Sequence, residues 1–415
     1  MSAYVLWQLQ LSSYTKEGRF TLTADSNWQM FLTKAIVMTE VSPDVKIDVI
    51  VPPEKDCTES PIQMIWEHKL QNNVNLIYVP ILANALATRF DFPFSHMVSA
   101  LPDLHKYTHV YVNDPMLLRH YKALFFLQKA APKFVVQTHF LDSPVARIAP
   151  DEVSYWHGTV EAVTKSDVCL WHCDSMYQVF LEAIEKHYKQ EFYRDMVAKK
   201  SKVWKDGYSI SEIRKPVEMK NLRFDPATLE GKTVVWVPNR VGGLGKSFDY
   251  TNNGKFLFES VPELWKRRQD FVVVAGNPNQ KILNNEIAEL CPAYVKLVDT
   301  AFNRDEYRWM SQRADVTVGL YTNDTNGGLA SLEAIEFHAI PLFPDVYEYK
   351  VYFDAVDWPK AFRISPDLSD IVDVASDVID RAKSKYDAKA LRKFVREYAA
   401  YEYTTPRMMQ QLGML

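Results

Sequence analysis

A glycine-rich segment near the middle of the chain contains residue types that bind phosphate. After an apolar run it reads Pro238-Asn239-Arg240-Val241-Gly242-Gly243-Leu244-Gly245-Lys246-Ser247. Arg240 and Lys246 would place two cations on a diphosphate, because a guanidinium grips such an anion through two parallel hydrogen bonds and an ammonium acts as a point charge. A surface loop with solvated charges is the alternative interpretation.

The same segment partly matches the phosphate-binding loop of P-loop NTPases. Gly245-Lys246-Ser247 fits the end of that motif, but Arg240 stands where its first glycine is required. The residues that follow predict a turn, whereas a P-loop leads directly into a helix. A P-loop NTPase and a non-catalytic nucleotide-binding protein are therefore kept as alternative functions.

A glycine pair later in the chain is a second candidate for anion binding. An apolar strand ends near Tyr321, and Gly327-Gly328-Leu329 then opens a predicted helix. The free amides and the positive dipole end at such a start attract phosphate. Glu333 falls about a turn and a half into this helix, where its carboxylate can accept hydrogen bonds from both hydroxyls of a ribose. A solvated helix glutamate is the competing interpretation.

A histidine follows another predicted strand in the first half of the chain, Phe134 to Gln137. Because the carboxyl ends of parallel strands face the crevice where α/β sheets bind ligands, His139 is the predicted catalytic residue. Asp142 would orient it or contact the acceptor, although Asp142-Ser143-Pro144 is also a turn signal. A packed histidine bonded to the backbone is the alternative for His139. No metal site is predicted, since Cys169 and Cys173 lack the further ligands that structural zinc needs.

The elements that must position these residues are indicated by short apolar runs, which are typical of buried parallel strands. Helix-length segments between them predict an α/β fold of two Rossmann-like doubly wound domains in tandem. The domains are expected at about 1–215 and 222–390, with a C-terminal helix at about 391–415 that packs back on the first. No strand is predicted from Phe192 to Gly231. The predicted strands are Tyr4 to Leu11, Ile47 to Val51, Leu76 to Val79, His109 to Val112, Phe134 to Gln137, Val168 to Trp171, Val234 to Val237, Phe271 to Ala275, Val295 to Val298, Val316 to Leu320 and Ile340 to Phe343.

Composition limits the classes of protein that this chain can belong to. Its 415 residues are 47% hydrophobic and 24% charged, as in globular proteins, and its net charge of −4 excludes a general polycation. Four cysteines are too few for a disulfide framework at this length. No apolar run is long enough for a membrane span, and the first residues make a poor signal peptide. A soluble, cytoplasmic protein is expected.

The second-half motifs together resemble the nucleotide-sugar site of retaining GT-B glycosyltransferases. They are Ala314-Asp315-Val316, a polar loop, Gly327, Glu333-Ala334 and Ile340-Pro341-Leu342-Phe343. The resemblance implies that Glu333 holds the donor ribose, that the loop Thr325-Asn326-Gly327-Gly328-Leu329 meets the diphosphate and sugar, and that Arg240 and Lys246 grip the diphosphate. The sequence departs from the family pattern at two positions. Thr325 stands where the family has a second glutamate, and Lys255 is an alternative to Lys246 because the spacing from Arg240 is one residue too long.

Two first-half segments are similar to phage α-glucosyltransferases that act on hydroxymethylcytosine in DNA: Gln137-Thr138-His139 and His172-Cys173-Asp174. The resemblance implies sugar transfer with retention, from a nucleoside diphosphate sugar expected to be UDP-linked, to a hydroxyl in the cleft between the domains. No metal or other cofactor is expected. The leading acceptor is a hydroxymethylated pyrimidine in double-stranded DNA, with a glycan, a lipid or a small molecule as alternatives. A viral chain would act in the host cytoplasm.

One stretch has the composition of a nucleic-acid groove. Phe192 to Lys220 carries eight Lys or Arg residues against four acidic ones, interleaved with the rings of Phe192, Tyr193, Trp204 and Tyr208. Cations neutralise phosphates and aromatic rings stack on bases. A solvated helix between the domains is the favoured interpretation of this stretch.

Overall fold

The structure, a computed structural model, divides the chain into two units. One comprises Met1–Asp206 with Tyr401–Leu415, and the other comprises Gly207–Ala400. The described residues are 3–9, 11, 13, 15–80, 94–113, 115–138, 153–188, 191–241, 252–278, 281–322, 328–384 and 386–415. Among them, no helix is both long enough and apolar enough to cross a membrane.

The first unit is built on a seven-stranded parallel sheet in the order β3-β2-β1-β4-β5-β6-β7. Its five inner strands are rich in Val, Ile and Leu and are buried along most of their length, because helices cover both faces of such a sheet. The strand order reverses between β1 and β4, as in a Rossmann fold. The strands are β1 Tyr4–Gln8, β2 Lys46–Val51, β3 Val74–Tyr78, β4 His109–Val112, β5 Lys133–Thr138, β6 Val168–Trp171 and β7 Ser201–Val203.

The first helix of the first unit starts from a clear local signal. The Asp25 side chain accepts hydrogen bonds from the amides of Asn27 and Trp28 and so caps the first helix. The last helix of the chain packs against that first helix, and Met408, Met409 and Leu412 enter its core. The helices are α1 Ser26–Val41, α2 Pro61–Glu67, α3 Phe94–Ala100, α4 Leu118–Leu127, α5 Val153–Lys165, α6 Asp174–Tyr188, α7 Glu191–Lys200 and α17 Tyr401–Leu412.

The second unit has a five-stranded parallel sheet in the order β12-β11-β10-β8-β9, whose order reverses between β8 and β10. Its strands are β8 Thr233–Val241, β9 Phe271–Pro278, β10 Val316–Val318, β11 Ile340–Pro344 and β12 Arg363–Ile364. The helices are α8 Ile210–Ile213, α9 Asn253–Lys255, α10 Val261–Arg267, α11 Lys281–Leu290, α12 Arg304–Arg313, α13 Leu329–Glu336, α14 Tyr347–Asp354, α15 Ile371–Lys383 and α16 Lys389–Ala399.

The predicted fold class of two doubly wound α/β domains in tandem is confirmed. Three details are wrong. The stretch predicted to lack a strand contains β7, a short edge strand. Val295 to Val298 is not a strand. Tyr294 forms one bridge with Val273 of β9, and the Val295 amide donates to the Val273 carbonyl, but the chain then leaves β9. The predicted last helix is two helices, separated by the extended backbone of Ala400.

Candidate functional site

The topological switch between β8 and β10 brings several of the predicted site residues to one sheet edge. These strands are adjacent and parallel, with Val316 opposite Val235, so their carboxyl ends share an edge. In open α/β sheets, ligands bind outside the carboxyl ends of the strands at such a point. Arg240 lies in the last part of β8, where its backbone pairs with Asn277 of β9 after a register shift. The structure describes the backbone of Arg240 and not its side chain.

The start of α13 is set against this edge by side-chain hydrogen bonds. Ser331 Oγ donates to the Val318 carbonyl at 3.0 Å, and Asn239 Nδ2 donates to Ser331 Oγ at 3.0 Å. These bonds connect the first turn of α13 to both β10 and β8. The amino end of the helix is therefore held at the switch point.

Gly328 precedes α13 in a left-handed conformation, with φ +43°. A Cβ built on Gly328 would lie 2.6 Å from Tyr349 Oη and 2.9 Å from Tyr321 Cε2, so both the conformation and the space require glycine. Glycine has no side chain with which to cap the helix. No side chain in the described part of the chain caps the first amides of α13, as the anion-binding interpretation requires.

Glu333 is the best-defined member of the candidate site. Its side chain is 12% exposed, and Oε1 lies 3.5 Å from Arg304 Nη1. Oε2 is buried and has no hydrogen-bond partner among the residues that the structure describes. Burial raises the pKa of the Glu333 carboxyl above its ordinary value, while Arg304 and Arg308 oppose this rise. A buried carboxylate oxygen without a partner is costly for the fold and suggests a ligand that supplies donors.

Lys255, the alternative diphosphate cation, belongs to a helix that begins beside the same edge. Asn252 precedes α9, and its Nδ2 donates to Thr322 Oγ1 at 2.7 Å and to the Leu320 carbonyl at 3.4 Å. Lys255 is exposed. Lys255 and Lys246 therefore both stay predictions for the diphosphate cation.

The remaining predicted site residues lie outside the described residues, and their roles stay predictions. They are His139, Asp142, Lys246, Thr325, Asn326 and Gly327. Sequence reasoning missed Arg304, the ion-pair partner of Glu333. The Asn303-x-x-Glu306 capping box in the sequence predicts that a helix starts at Arg304, but it does not indicate that Arg304 contacts Glu333.

A second polar group that the sequence analysis did not predict lies in the first unit. Lys34, Gln137, His172 and Asp206, here called the Lys34 cluster, are all at most 4% exposed. Lys34 Nζ is 2.5 Å from Asp206 Oδ1, His172 Nδ1 is 2.7 Å from Asp206 Oδ2, and Gln137 Nε2 donates to Asp206 Oδ2 at 2.9 Å. Burial lowers the pKa of Lys34, and the carboxylate of Asp206 opposes this shift.

The basic aromatic stretch from Phe192 to Lys220 does not present its rings together. Trp204 and Tyr208 are 2% and 3% exposed and belong to hydrophobic cores, whereas Phe192 is 70% exposed. A buried ring is unavailable for stacking on a nucleic-acid base. This stretch therefore gives little support to a nucleic-acid groove.

No protein-family model and no curated protein matches the chain by sequence. Solved structures do match by fold. HepE from Anabaena, in complex with UDP and glucose, superposes with a TM-score of 0.64 at 11% identity, over 100% of both chains. The lipopolysaccharide outer core galactosyltransferase WaaB, as the apo form, gives 0.59 at 11% identity, again over 100% of both chains.

UDP-GlcNAc 2-epimerase from Neisseria meningitidis, bound to UDP-GlcNAc, is also similar. Its TM-score is 0.56 at 12% identity, over 100% of both chains. These likenesses establish that the chain has the GT-B fold. Since the fold is shared by a transferase and an epimerase, the reaction must be argued from the site.

Proposed function

We propose that this protein is a glycosyltransferase that moves a sugar from a UDP-sugar to a hydroxyl acceptor, with retention of configuration and without a metal ion. The observation that carries the proposal is Glu333, a largely buried carboxylate, one oxygen of which has no partner among the described residues. It lies in a helix that Gly328 precedes without a side-chain cap from those residues. A nucleoside diphosphate matches this arrangement, because the two hydroxyls of its ribose donate hydrogen bonds to a carboxylate and its phosphates accept hydrogen bonds from backbone amides.

The diphosphate is the leaving group of the proposed reaction and gains negative charge in the transition state. The backbone amides at Gly328 and Leu329 would bind it together with the other residues of that loop, Thr325, Asn326 and Gly327. Arg240 and Lys246, or Lys255 in place of Lys246, would supply the positive charge. These groups would do the work of a metal ion, which is why chelators are expected to have no effect.

The acceptor side of the reaction is assigned to the first unit. His139 would position or polarise the acceptor hydroxyl, and Asp142 would orient His139 or contact the acceptor. The Lys34 cluster supports this assignment indirectly, because Gln137 lies two residues before His139 at the end of β5 and is fixed by a hydrogen bond to Asp206. The alternative of a P-loop NTPase lacks a role for Glu333. A non-catalytic nucleotide-binding protein would keep the contact of Glu333 with the ribose and is distinguished by the absence of turnover.

The donor half of the proposal is tested with a panel of nucleotide sugars. We expect release of UDP from one UDP-sugar, detected by mass spectrometry, at the same rate in EDTA as in Mg²⁺. Thermal unfolding should shift upward with UDP and not with ATP and Mg²⁺. Proton NMR of the transferred sugar should show the anomer of the donor.

Three results would contradict this donor assignment. ATP hydrolysis that is lost in Lys246→Ala would favour the P-loop alternative. Conversion of UDP-GlcNAc to its C2 epimer without transfer would favour an epimerase. Binding of UDP with no turnover of any donor and acceptor pair would favour a non-catalytic protein.

The finer proposal is that the acceptor is a hydroxymethylated pyrimidine in double-stranded DNA. It is supported by the resemblance of the segments ending at His139 and Asp174 to phage DNA glucosyltransferases. An enzyme of this kind must turn the target base out of the stack to reach its hydroxyl. Local phosphate contacts would be needed, since the net charge of the chain is −4.

We expect sugar transfer from the active UDP-sugar to a duplex containing hydroxymethylcytosine and none to the same duplex with cytosine. Affinity for the duplex should fall steeply with salt, because phosphate contacts release counterions. Affinity that is independent of salt, or equal turnover with a glycan or lipid acceptor, would overturn the DNA assignment and leave the donor assignment standing.

A further inference from the structure

We propose that Arg304 is a positioning residue of the donor site, which holds Oε1 of Glu333 so that Oε2 is presented to the ribose. This inference rests on the proposed function. The ion pair is asymmetric: the Arg304 side chain is 51% exposed, whereas that of Glu333 is 12% exposed. One carboxylate oxygen therefore has a cation at 3.5 Å, and the other is buried with no partner in the described part of the chain.

Arg304 lies at a helix start that is held in place by side-chain hydrogen bonds. It is the first residue of α12, whose start is fixed by a reciprocal capping box between Asn303 and Glu306. Glu306 is 0% exposed, and its carboxylate also accepts hydrogen bonds from Nε and Nη2 of Arg223, at 2.8 and 2.6 Å. A bidentate arginine on a buried carboxylate leaves this end of the helix little freedom.

A tyrosine connects the two partners independently of their ion pair. The guanidinium of Arg304 lies 5.8 Å from the ring centroid of Tyr307. Tyr307 Oη in turn donates to the Ala330 carbonyl at 2.8 Å and so ties α12 to the first turn of α13. Loss of the Arg304 charge should therefore leave the two helices in place.

The titratable groups that face Glu333 come from α12 and from the segment before α8. On α12 they are the guanidinium groups of Arg304 and Arg308 and the hydroxyl of Tyr307. Before α8 there is the hydroxyl of Tyr208. Both hydroxyls are buried, and their pKa values lie well above the ordinary value, so they stay neutral.

The charge of Arg308 is shared with other acids. Its Nη1 lies 3.0 Å from Asp305, and its Nη2 lies 3.8 Å from Glu212. Arg304 also feels the charge of Glu212, but its ion pair in the described part of the chain is with Glu333. Arg304 is therefore the main group that favours the ionised carboxylate against burial.

The test is the pH dependence of UDP-glucose affinity, measured by calorimetry from pH 5 to 9 with no acceptor present. Donor binding needs the ionised carboxylate, so affinity should fall as the pH drops through the raised pKa of Glu333. The pH range in which affinity falls is here called the acidic limb. Arg304→Gln should move this acidic limb to higher pH by about one unit or more, because an adjacent cation commonly lowers a carboxyl pKa by that amount. Arg304→Lys should restore most of the shift.

Arg267→Gln is the matched control, since Arg267 is a half-exposed arginine in a surface ion pair with Asp373 of the same unit. Its acidic limb should coincide with that of the wild type. Equal melting temperatures would show that Arg304→Gln is folded. An unshifted limb in folded Arg304→Gln would overturn the positioning role alone, whereas no binding of any UDP-sugar by the wild type at any pH would overturn the proposed function and this inference with it.

Discussion

Glu333→Ala is expected to lower kcat/KM for the UDP-sugar about 10²–10³-fold and to leave the chain folded. The substitution removes two charge-assisted hydrogen bonds to the ribose, each worth about 1.5–3 kcal/mol. Since about 1.4 kcal/mol corresponds to a factor of ten, a loss of this size follows even if the two bonds are partly redundant. Steady-state turnover of the donor found in the nucleotide-sugar panel measures it.

A donor with 2′-deoxyribose separates loss of the ribose contact from general damage. The wild type should reject this donor strongly, because a site built to bind a hydroxyl is left with an unpaired polar group. Glu333→Ala should accept the ribose and deoxyribose donors equally. Glu289→Ala, at an exposed position of α11, is the control and should behave as the wild type. Undiminished preference for ribose in Glu333→Ala would contradict the assignment.

Glu333→Ala is expected to lower activity but not to lower the stability of the fold. A carboxyl whose pKa is raised in the folded state binds its proton more tightly there than in the unfolded chain. Its ionisation therefore destabilises the fold as pH rises above the ordinary carboxyl range. Removing the group should leave the melting temperature at pH 7 equal or higher. A fall would indicate that Glu333 is a structural residue.

The strands that sequence reasoning found share a physical property. β1, β2, β4, β5 and β6 are almost entirely buried, so their apolar runs stand out from the polar loops. β7 was missed because an edge strand of three residues, with Lys202 exposed, has no such run. Val295 to Val298 fails for the converse reason: a short apolar run that is only partly buried does not require a hydrogen-bonded ladder.

The site residues divide in a similar way. The position of Glu333 in a helix after the glycine pair was predictable, because the glycine pair, the strand before it and the helix spacing all lie within one short segment. Arg304 was not, since it is separated from Glu333 by 29 positions and reaches it only through the packing of α12 on α13. Local patterns locate a residue on its own element and carry no information about its partner on another.

The Lys34 cluster shows the same limit in the first unit. Lys34 lies in α1, Gln137 near the end of β5, His172 directly after β6, and Asp206 three positions after β7. No regular spacing in the sequence therefore relates these four residues. One signal was present: Lys34 interrupts the apolar face of α1, between Phe31, Leu32, Ala35 and Met38. A lysine at such a position is buried only if it is paired, which predicts an acidic partner without naming it.

Lys34→Met is expected to destabilise the first unit by about 3–5 kcal/mol. The substitution keeps the apolar contacts of the side chain but removes the ammonium that lies 2.5 Å from Asp206 and 4.3 Å from the Trp204 ring centroid. Asp206 is 0% exposed, so its charge would remain in the interior without its lysine. Urea unfolding of the full chain, followed by Trp fluorescence and by calorimetry, measures the loss.

A double variant separates an uncompensated charge from a simple packing defect. Asp206→Asn removes the negative charge and keeps the shape, so Lys34→Met combined with Asp206→Asn should be more stable than Lys34→Met alone. The coupling should amount to about 1–3 kcal/mol, as for other contacting pairs. Lys199→Met, at an exposed position of α7, controls for the loss of a lysine and should change stability by less than about 0.5 kcal/mol. Additive losses in the double variant would mean that Lys34 acts through its packing on Trp204, and that the ion pair contributes little to the fold.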